Sequence, residues 1–166
     1  RENQAKGNVE ETAYWDKRQL VKKINLNSLY GALLNPGSRF NDPRMGQSTT
    51  LTGRTIARHM GAKVNELFTG IYDHVGDSII YGDTDSVYFS AYPVFRQQIE
   101  SGEFAWDKDK VTELYETVCE QANETFPEYM ATAHNVQNPE QGKIIAAARE
   151  VSATAGIYIT KKRYAI

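Results

Sequence analysis

The sequence has a single cysteine, Cys119. No internal disulfide can form, which accords with a reducing cytoplasm, and a lone thiol of this kind packs as a small core residue. Long apolar runs are missing too, so no membrane span is expected, and no signal peptide is read at Arg1. There is no excess of positive charge. Lys and Arg number 19 against 21 Asp and Glu, a formal net charge of −2, which excludes attachment to nucleic acid through overall charge and leaves only local basic clusters. Internal repeats and low-complexity stretches are absent. His134 has no second histidine or cysteine at metal-ligand spacing, so it is read as structural. The chain also opens without methionine and stops on the strand-like run Tyr164-Ala165-Ile166, and both ends are expected to be internal to a longer polypeptide.

What is present is an ordinary globular composition, long enough for one domain with a real core. Its centre is Tyr81-Gly82-Asp83-Thr84-Asp85-Ser86. Ser78-Ile79-Ile80 before it and Val87-Tyr88-Phe89-Ser90 after it read as two strands, with a tight turn between. Such a hairpin carries two carboxylates at its tip. Like charges that close repel, and a hard divalent cation removes the conflict. A lone Asp-x-Asp is more often a solvated turn; the apolar strands and a second motif upstream shift the balance here.

Around this hairpin the pattern predicts a loose lead-in to about residue 9, then a helix from Glu10 to Leu33 or Leu34. Tyr14, Leu20, Val21 and Ile24 supply its apolar face, and Asn35-Pro36-Gly37 stops it. Lys23, Asn27 and Tyr30 recur at i, i+4 and i+7 and share one face. A cation, an amide and a phenol on one stripe suit the phosphate, base edge and base plane of a nucleotide, although a polar helix face more often simply meets water. After a connection at Phe40 to Arg44, a second helix is expected from Gln47 to Phe68. Leu51, Ile56, Met60, Val64 and Leu67 form its buried face, and Gly70 its stop. Beyond the hairpin, a short helix runs from Pro93 to Glu100, and a longer one from an Asp107 cap to about Thr125, ended by Phe126-Pro127-Glu128. Val111, Leu114, Val118 and Cys119 make up its apolar face. Thr132 to Gln141 reads as a loop. Two strands, Lys143 to Val151 and Ile157 to Ile166, close the chain. Alternation along the last one puts Lys162 and Tyr164 on one face and Lys161 and Arg163 on the other.

Lys23-x-x-x-Asn27-Ser28-x-Tyr30-Gly31, followed by Tyr81-Gly82-Asp83-Thr84-Asp85-Ser86, resembles the fingers motif and the metal-binding palm motif of the family B DNA polymerases, in the right order. The details around Asn27 to Leu33 and after Tyr81 look most like the T4-type bacteriophage branch. Thr50-Leu51-Thr52-Gly53-Arg54 resembles that family's Thr-x-x-Gly-Arg segment, with Arg54 and Arg58 one turn apart, either to meet a phosphate or to be solvated. Lys161-Lys162-Arg163-Tyr164 resembles its Lys-Lys-Arg-Tyr motif, which lies along the primer strand.

The resemblance implies an α+β fold: a palm with an antiparallel sheet packed on helices and one fingers helix at its N-terminal end. Residues 1–36 would belong to the fingers and 37–166 to the palm. It implies a DNA-directed DNA polymerase that extends a primer 3′ end with two Mg²⁺ ions, Mn²⁺ being an alternative. Asp85 would be the shared ligand of both ions and Asp83 a weaker one, with Tyr81 and Ser86 supporting the hairpin. Glu150 matches a family acidic position near the metals, but Ala148 stands where T4-type members often carry Asp. Lys23 would meet the triphosphate, Asn27 and Tyr30 the nascent base pair, and Lys161, Lys162, Arg163 and Tyr164 the DNA. Implied partners are primer-template DNA, deoxynucleoside triphosphates, the remaining polymerase segments in the same or a separate chain, and a sliding clamp in the full enzyme. The setting would be the cytoplasm of a host cell if the source is viral. The family's first palm motif, distal fingers, exonuclease and thumb find no match, so the chain is expected to be a fragment or one piece of a split polymerase. A non-catalytic nucleic-acid-binding or assembly module with the palm shape is the competing expectation.

Overall fold

The computed structural model describes residues 9–166; the lead-in expected up to about residue 9 lies almost wholly outside them. The chain divides into two compact units, Arg1–Leu51 and Thr52–Ile166. Helices and short antiparallel strands follow one another in blocks, the α+β class expected, with the strands in two separate hairpins. Among the described residues no helix is long and apolar enough to cross a membrane.

In the first unit, helix α1 spans Val9–Leu34 with Glu10 and Glu11 in its first turn, where carboxylates suit the positive end of the helix dipole. Its expected apolar face is open: Tyr14, Leu20, Val21 and Ile24 are all exposed, and no residue of α1 is buried. Arg18 donates to the Tyr14 hydroxyl at 2.7 Å and lies over the Tyr14 and Trp15 rings. The stop falls at Asn35-Pro36-Gly37 as expected, and Asn41 and Asp42 satisfy the Leu33 carbonyl from beyond it. Helix α2, Pro43–Thr69, begins four residues earlier than the apolar pattern indicates. Asp42 caps it, accepting from the Arg44 backbone at 3.1 Å, and Pro43 is pre-organised for a first helical turn. The Arg44 guanidinium on the same carboxylate holds Asp42 below the usual range. Leu34 lies so close to Gly46 that any Cβ there would meet it.

In the second unit, α2 buries Ala62 and Val64, with Ile56 and Met60 partly covered, while Leu67 stays open. Gly70, with φ of +76°, ends it as expected. Strands β1 (Ile79–Asp83) and β2 (Ser86–Phe89) follow, then helices α3 (Tyr92–Glu100), α4 (Lys108–His134) and the single turn α5 (Pro139–Gly142), and finally strands β3 (Ile157–Thr160) and β4 (Arg163–Ala165).

Three expectations fail here for physical reasons. Helix α4 passes through Pro127 and ends only at Asn135, in the left-handed region. Val118, Ala122, Phe126 and Met130 recur every four residues and are all buried; burying two large side chains around the proline offsets a penalty of about 3 kcal/mol. The loop expected from Thr132 is thus helix to His134, with α5 beginning near its end and Gly142 set tightly against Pro127. No strand forms over 143–151. Its backbone is met instead by the Asn123 carboxamide of α4, which accepts from the Ala147 N–H at 2.6 Å and donates to the Ala147 carbonyl at 2.9 Å. Arg149 is drawn to Glu116 of the same helix at 2.7 Å. Finally, Ile157 to Ile166 is a hairpin rather than one strand. Lys161 and Lys162 are its turn, Lys162 with φ of 63°, so strand alternation does not sort the basic residues.

The first hairpin is fastened to α2 by Asn65, which is 1 % exposed. Its Oδ1 accepts from the Ser78 backbone and hydroxyl at 3.2 and 2.8 Å, and its Nδ2 donates to the Ile71 carbonyl and the Thr69 hydroxyl at 2.9 and 3.1 Å. Gly76 passes so near that a Cβ there would fall on this amide. Asn65→Ala leaves the buried Ser78 donors and the Ile71 carbonyl without this partner and should destabilise the chain by about 2–3 kcal/mol. Urea denaturation against wild type checks this.

Candidate metal-binding hairpin and its basic neighbour

The hairpin that the sequence marks out is present. β1 and β2 pair Tyr81 with Tyr88, Gly82 with Val87 and Asp83 with Ser86, leaving Thr84 and Asp85 as a two-residue turn. A bulge at Ile80 precedes this register. Thr84 sits at φ of 46°, and its hydroxyl donates to Asp83 Oδ1 at 3.1 Å. The Ser86 hydroxyl donates to the Asp83 carbonyl at 3.1 Å and ties the turn together.

Alternation gives the hairpin two faces. Val87 and Phe89 turn toward the helices: Val87 lies beside Gly61 of α2, and the Phe89 ring meets Phe68 and Tyr115 at 5.9 and 5.1 Å. Tyr81, Asp83, Ser86 and Tyr88 share the other face, and the β3–β4 hairpin covers it. Four tyrosines make that contact. The rings of Tyr81, Tyr88, Tyr158 and Tyr164 lie 5.2 to 5.8 Å apart, and Tyr88 and Tyr164 share a hydrogen bond of 2.8 Å between their hydroxyls. The Lys162 N–H donates to the Tyr81 hydroxyl at 3.0 Å, and Lys162 Nζ stands 3.9 Å from Asp83 Oδ2.

The structure thus brings Asp83, Asp85, Lys162 and Tyr164 into one neighbourhood. Asp83 is half-buried and Asp85 is exposed, as are Lys161 and Arg163. Glu150 is exposed, and among the described residues no three of His, Cys, Asp and Glu group to hold a metal ion, so Glu150 does not join the two aspartates. Lys23, Asn27 and Tyr30 lie on α1 in the other unit, Lys23 and Asn27 exposed and Tyr30 partly covered. Arg54 and Arg58 are exposed on α2. Tyr88 and Tyr158 were not singled out from the sequence; their signal is a tyrosine on each of four strands, readable only once both hairpins are known.

The tip offers carboxylate oxygens and no nitrogen or sulfur donor. That set suits a hard divalent ion such as Mg²⁺, which takes one or two protein carboxylates and fills its shell with water and substrate phosphate. A cleft of about 230 Å³ lies elsewhere, between Thr55, Arg58, His59, Tyr72, His74 and Tyr129. His59 is buried there between the Tyr72 and Thr125 hydroxyls and stacked on Tyr129 at 3.8 Å. Because the Thr125 hydroxyl donates to the Ala122 carbonyl, it accepts from His59 Nε2–H, which puts the ring proton of the neutral form on Nε2. Burial lowers its pKa accordingly, with Lys63 adding to the effect. Neither aspartate of the hairpin lines this cleft.

The family model described as DNA polymerase family B matches residues 2–129. A chain that pairs an aspartate hairpin with helices in this way, and matches that model over most of its length, belongs to DNA polymerase family B. It is 30% identical over 161 residues to the DNA-directed DNA polymerase of Enterobacteria phage T4 and 29% identical over 155 residues to that of Escherichia phage RB69. Each alignment covers 89% of this chain and 17% of the relative. DNA polymerase II of Escherichia coli (strain K12) is 38% identical over 66 residues, 40% of this chain and 7% of that protein. The chain therefore spans about a sixth of the length of the phage relatives it matches. No solved structure matches it.

The tyrosine contact makes a pH prediction. The Tyr88 hydroxyl bond, then burial and the nearby Tyr88, Asp83 and Tyr81 groups, push the Tyr164 phenol up to about 12 from an ordinary value of 10.0. A raised folded pKa means that the neutral form is favoured on folding. Its contribution is complete below pH 10.0 and is lost as pH rises toward about 12. Ultraviolet titration should show one phenol ionising near the top of that window, and Tyr88→Phe should bring it down.

Proposed function

We propose that this chain is the nucleotidyl-transfer segment of a replicative DNA polymerase, extending a primer 3′ end with deoxynucleoside triphosphates on a DNA template. The observation that carries the reading is the pair of aspartates on a two-residue hairpin turn, in a chain that belongs to family B. Residues 1–36 read as part of the fingers and 37–166 as palm.

On this reading Asp85 and Asp83 would hold the divalent cation; Glu150 stands apart from them here and would serve as a further ligand only if the rest of the enzyme brought it to the site. Divalent ions at such a site lower the pKa of the primer hydroxyl and offset charge on the leaving pyrophosphate. The chain's own residues bind and orient. Lys23 offsets the triphosphate charge, while Asn27 and Tyr30 line the nascent base pair. Tyr81 and Ser86 hold the shape of the hairpin through the Lys162 N–H and the Asp83 carbonyl. Lys161, Lys162, Arg163 and Tyr164 offer cations and a ring to the primer strand. Because Lys161 and Lys162 form a turn, they meet the backbone at a hairpin tip rather than along a strand edge. The partners are primer-template DNA, deoxynucleoside triphosphates, the rest of the polymerase and a sliding clamp. The phage relatives support a viral source and a host-cell cytoplasm.

The absence of a third metal ligand among the described residues favours a second reading, a palm-shaped module that binds DNA without synthesis. Grafting the chain in place of the matching segment of the T4 relative separates the two. Templated extension that Asp85→Asn lowers by at least about a hundredfold, with Asp83→Asn costing less and primer-template affinity unchanged, supports the enzyme. DNA binding without extension supports the module, and near-normal turnover in the Asp85 variant removes the metal site.

Lys23→Ala in the same graft should weaken nucleotide use and lower the rate while leaving DNA affinity almost unchanged. Loss of DNA binding with normal nucleotide use would place Lys23 on the duplex. The chain alone, with Mg²⁺ and nucleotides, should extend no primer, because its carboxylates are too few to hold two ions and its phosphate contacts are sparse and salt-sensitive.

A further inference from the structure

Asp83 and Asp85 are two residues apart, yet their surroundings differ. The Asp83 side chain is only 17% exposed, accepts from the Thr84 hydroxyl and faces Lys162 Nζ at 3.9 Å. Asp85 is exposed and, among the described residues, no hydrogen bond or ion pair engages its carboxylate. A largely covered carboxylate needs a compensating charge, because the desolvation it suffers is otherwise unmet. Lys162 stands where that charge is needed, and its backbone is held there. Its φ is 63°, its N–H is bound by the Tyr81 hydroxyl, and the hairpin that carries it is stacked on β1 and β2 through tyrosine rings. The Lys162 side chain itself remains 66% exposed, free to swing away on its flexible stem.

We propose that Lys162 is the resident counter-ion of Asp83: it holds that carboxylate in position when no divalent cation is bound and has to be displaced when one arrives. The proposal rests on the reading of the hairpin tip as a metal site and assigns Lys162 a positioning role within it. An ammonium group 3.9 Å from the Asp83 carboxylate repels a divalent ion and competes with it for the same oxygen. Water and salt screen much of that, leaving roughly a three- to tenfold weakening of metal affinity. Asp85, which has no such competitor, is the first ligand to engage the ion, and Asp83 follows once the ammonium has left.

Mn²⁺ titration of the 166-residue chain, followed by paramagnetic broadening of the Gly82 to Ser86 backbone amides, tests this without any need for polymerisation. Lys162→Gln and Lys162→Met, the second keeping the aliphatic stem, should each tighten Mn²⁺ binding about three- to tenfold. Lys162→Arg should leave it as in wild type. Asp85→Asn should remove the broadening. If Asp85→Asn removes it but both neutral Lys162 variants bind Mn²⁺ as wild type does, or more weakly, Lys162 is only a structural contact: the proposal fails and the metal reading stands. If the broadening survives Asp85→Asn, or if no protein among them shows it at millimolar ion, the metal reading fails and the proposal with it.

Discussion

The placement of the aspartate hairpin depends on one buried carboxamide. Asn65 has no aqueous alternative for its polar atoms, so it must find partners inside the protein, and it finds them in Thr69 at the end of its own helix, in Ile71 just beyond it and in Ser78 at the approach to β1. That requirement folds the segment from Thr69 to Ser78 back onto α2 and starts β1 at a defined point. Gly76 is needed for the same reason, since any side chain there would occupy the space of the amide. From Ser78 onward, strand alternation decides which side chains meet the helices and which are left for the second hairpin. A hydrophobic contact in place of Asn65 would supply burial without direction. Four hydrogen bonds supply direction, which fixes where the aspartate turn begins.

The second layer of organisation is aromatic. Four phenols, one from each strand, share one interface, and their hydroxyls link Tyr88 to Tyr164 and Tyr81 to the Lys162 backbone. Tyrosine suits this role because its ring buries apolar area while its hydroxyl still finds a partner. The two hairpins each consist of only two strands, too few for independent stability in water. Stacked face to face, with the first also set on Phe68 and Tyr115, they support each other.

What could be read from the sequence divides along the range of the forces involved. The aspartate hairpin, the Gly70 stop and the helix ending at Asn35-Pro36-Gly37 are decided by a few neighbouring residues, and each stands where the pattern puts it. The extension of α4 through Pro127 was not legible, because the stripe from Val118 to Met130 counts only when something covers it. Residues 143–151 have the composition of a strand, but a side chain 24 positions away claims their backbone. The run from Ile157 to Ile166 hides its turn because isoleucine, tyrosine and threonine favour strands on both sides of it; the adjacent Lys161 and Lys162, which resemble a binding motif, also mark the reversal. The pairing of Lys162 with Asp83 joins residues 79 apart in sequence and has no local signature.

The Tyr81 hydroxyl has a bearing on how this surface can change over time. The position must supply a ring to three neighbours and, from the same side chain, an acceptor for a backbone N–H in a left-handed turn 81 residues away. Phenylalanine meets the first demand and fails the second, and a small polar residue does the reverse. Histidine or tryptophan would present a polar atom from a ring of different reach. Position 81 is therefore open to almost no single-step replacement, whereas the neighbouring Thr84 answers to one local hydroxyl contact and can drift more freely.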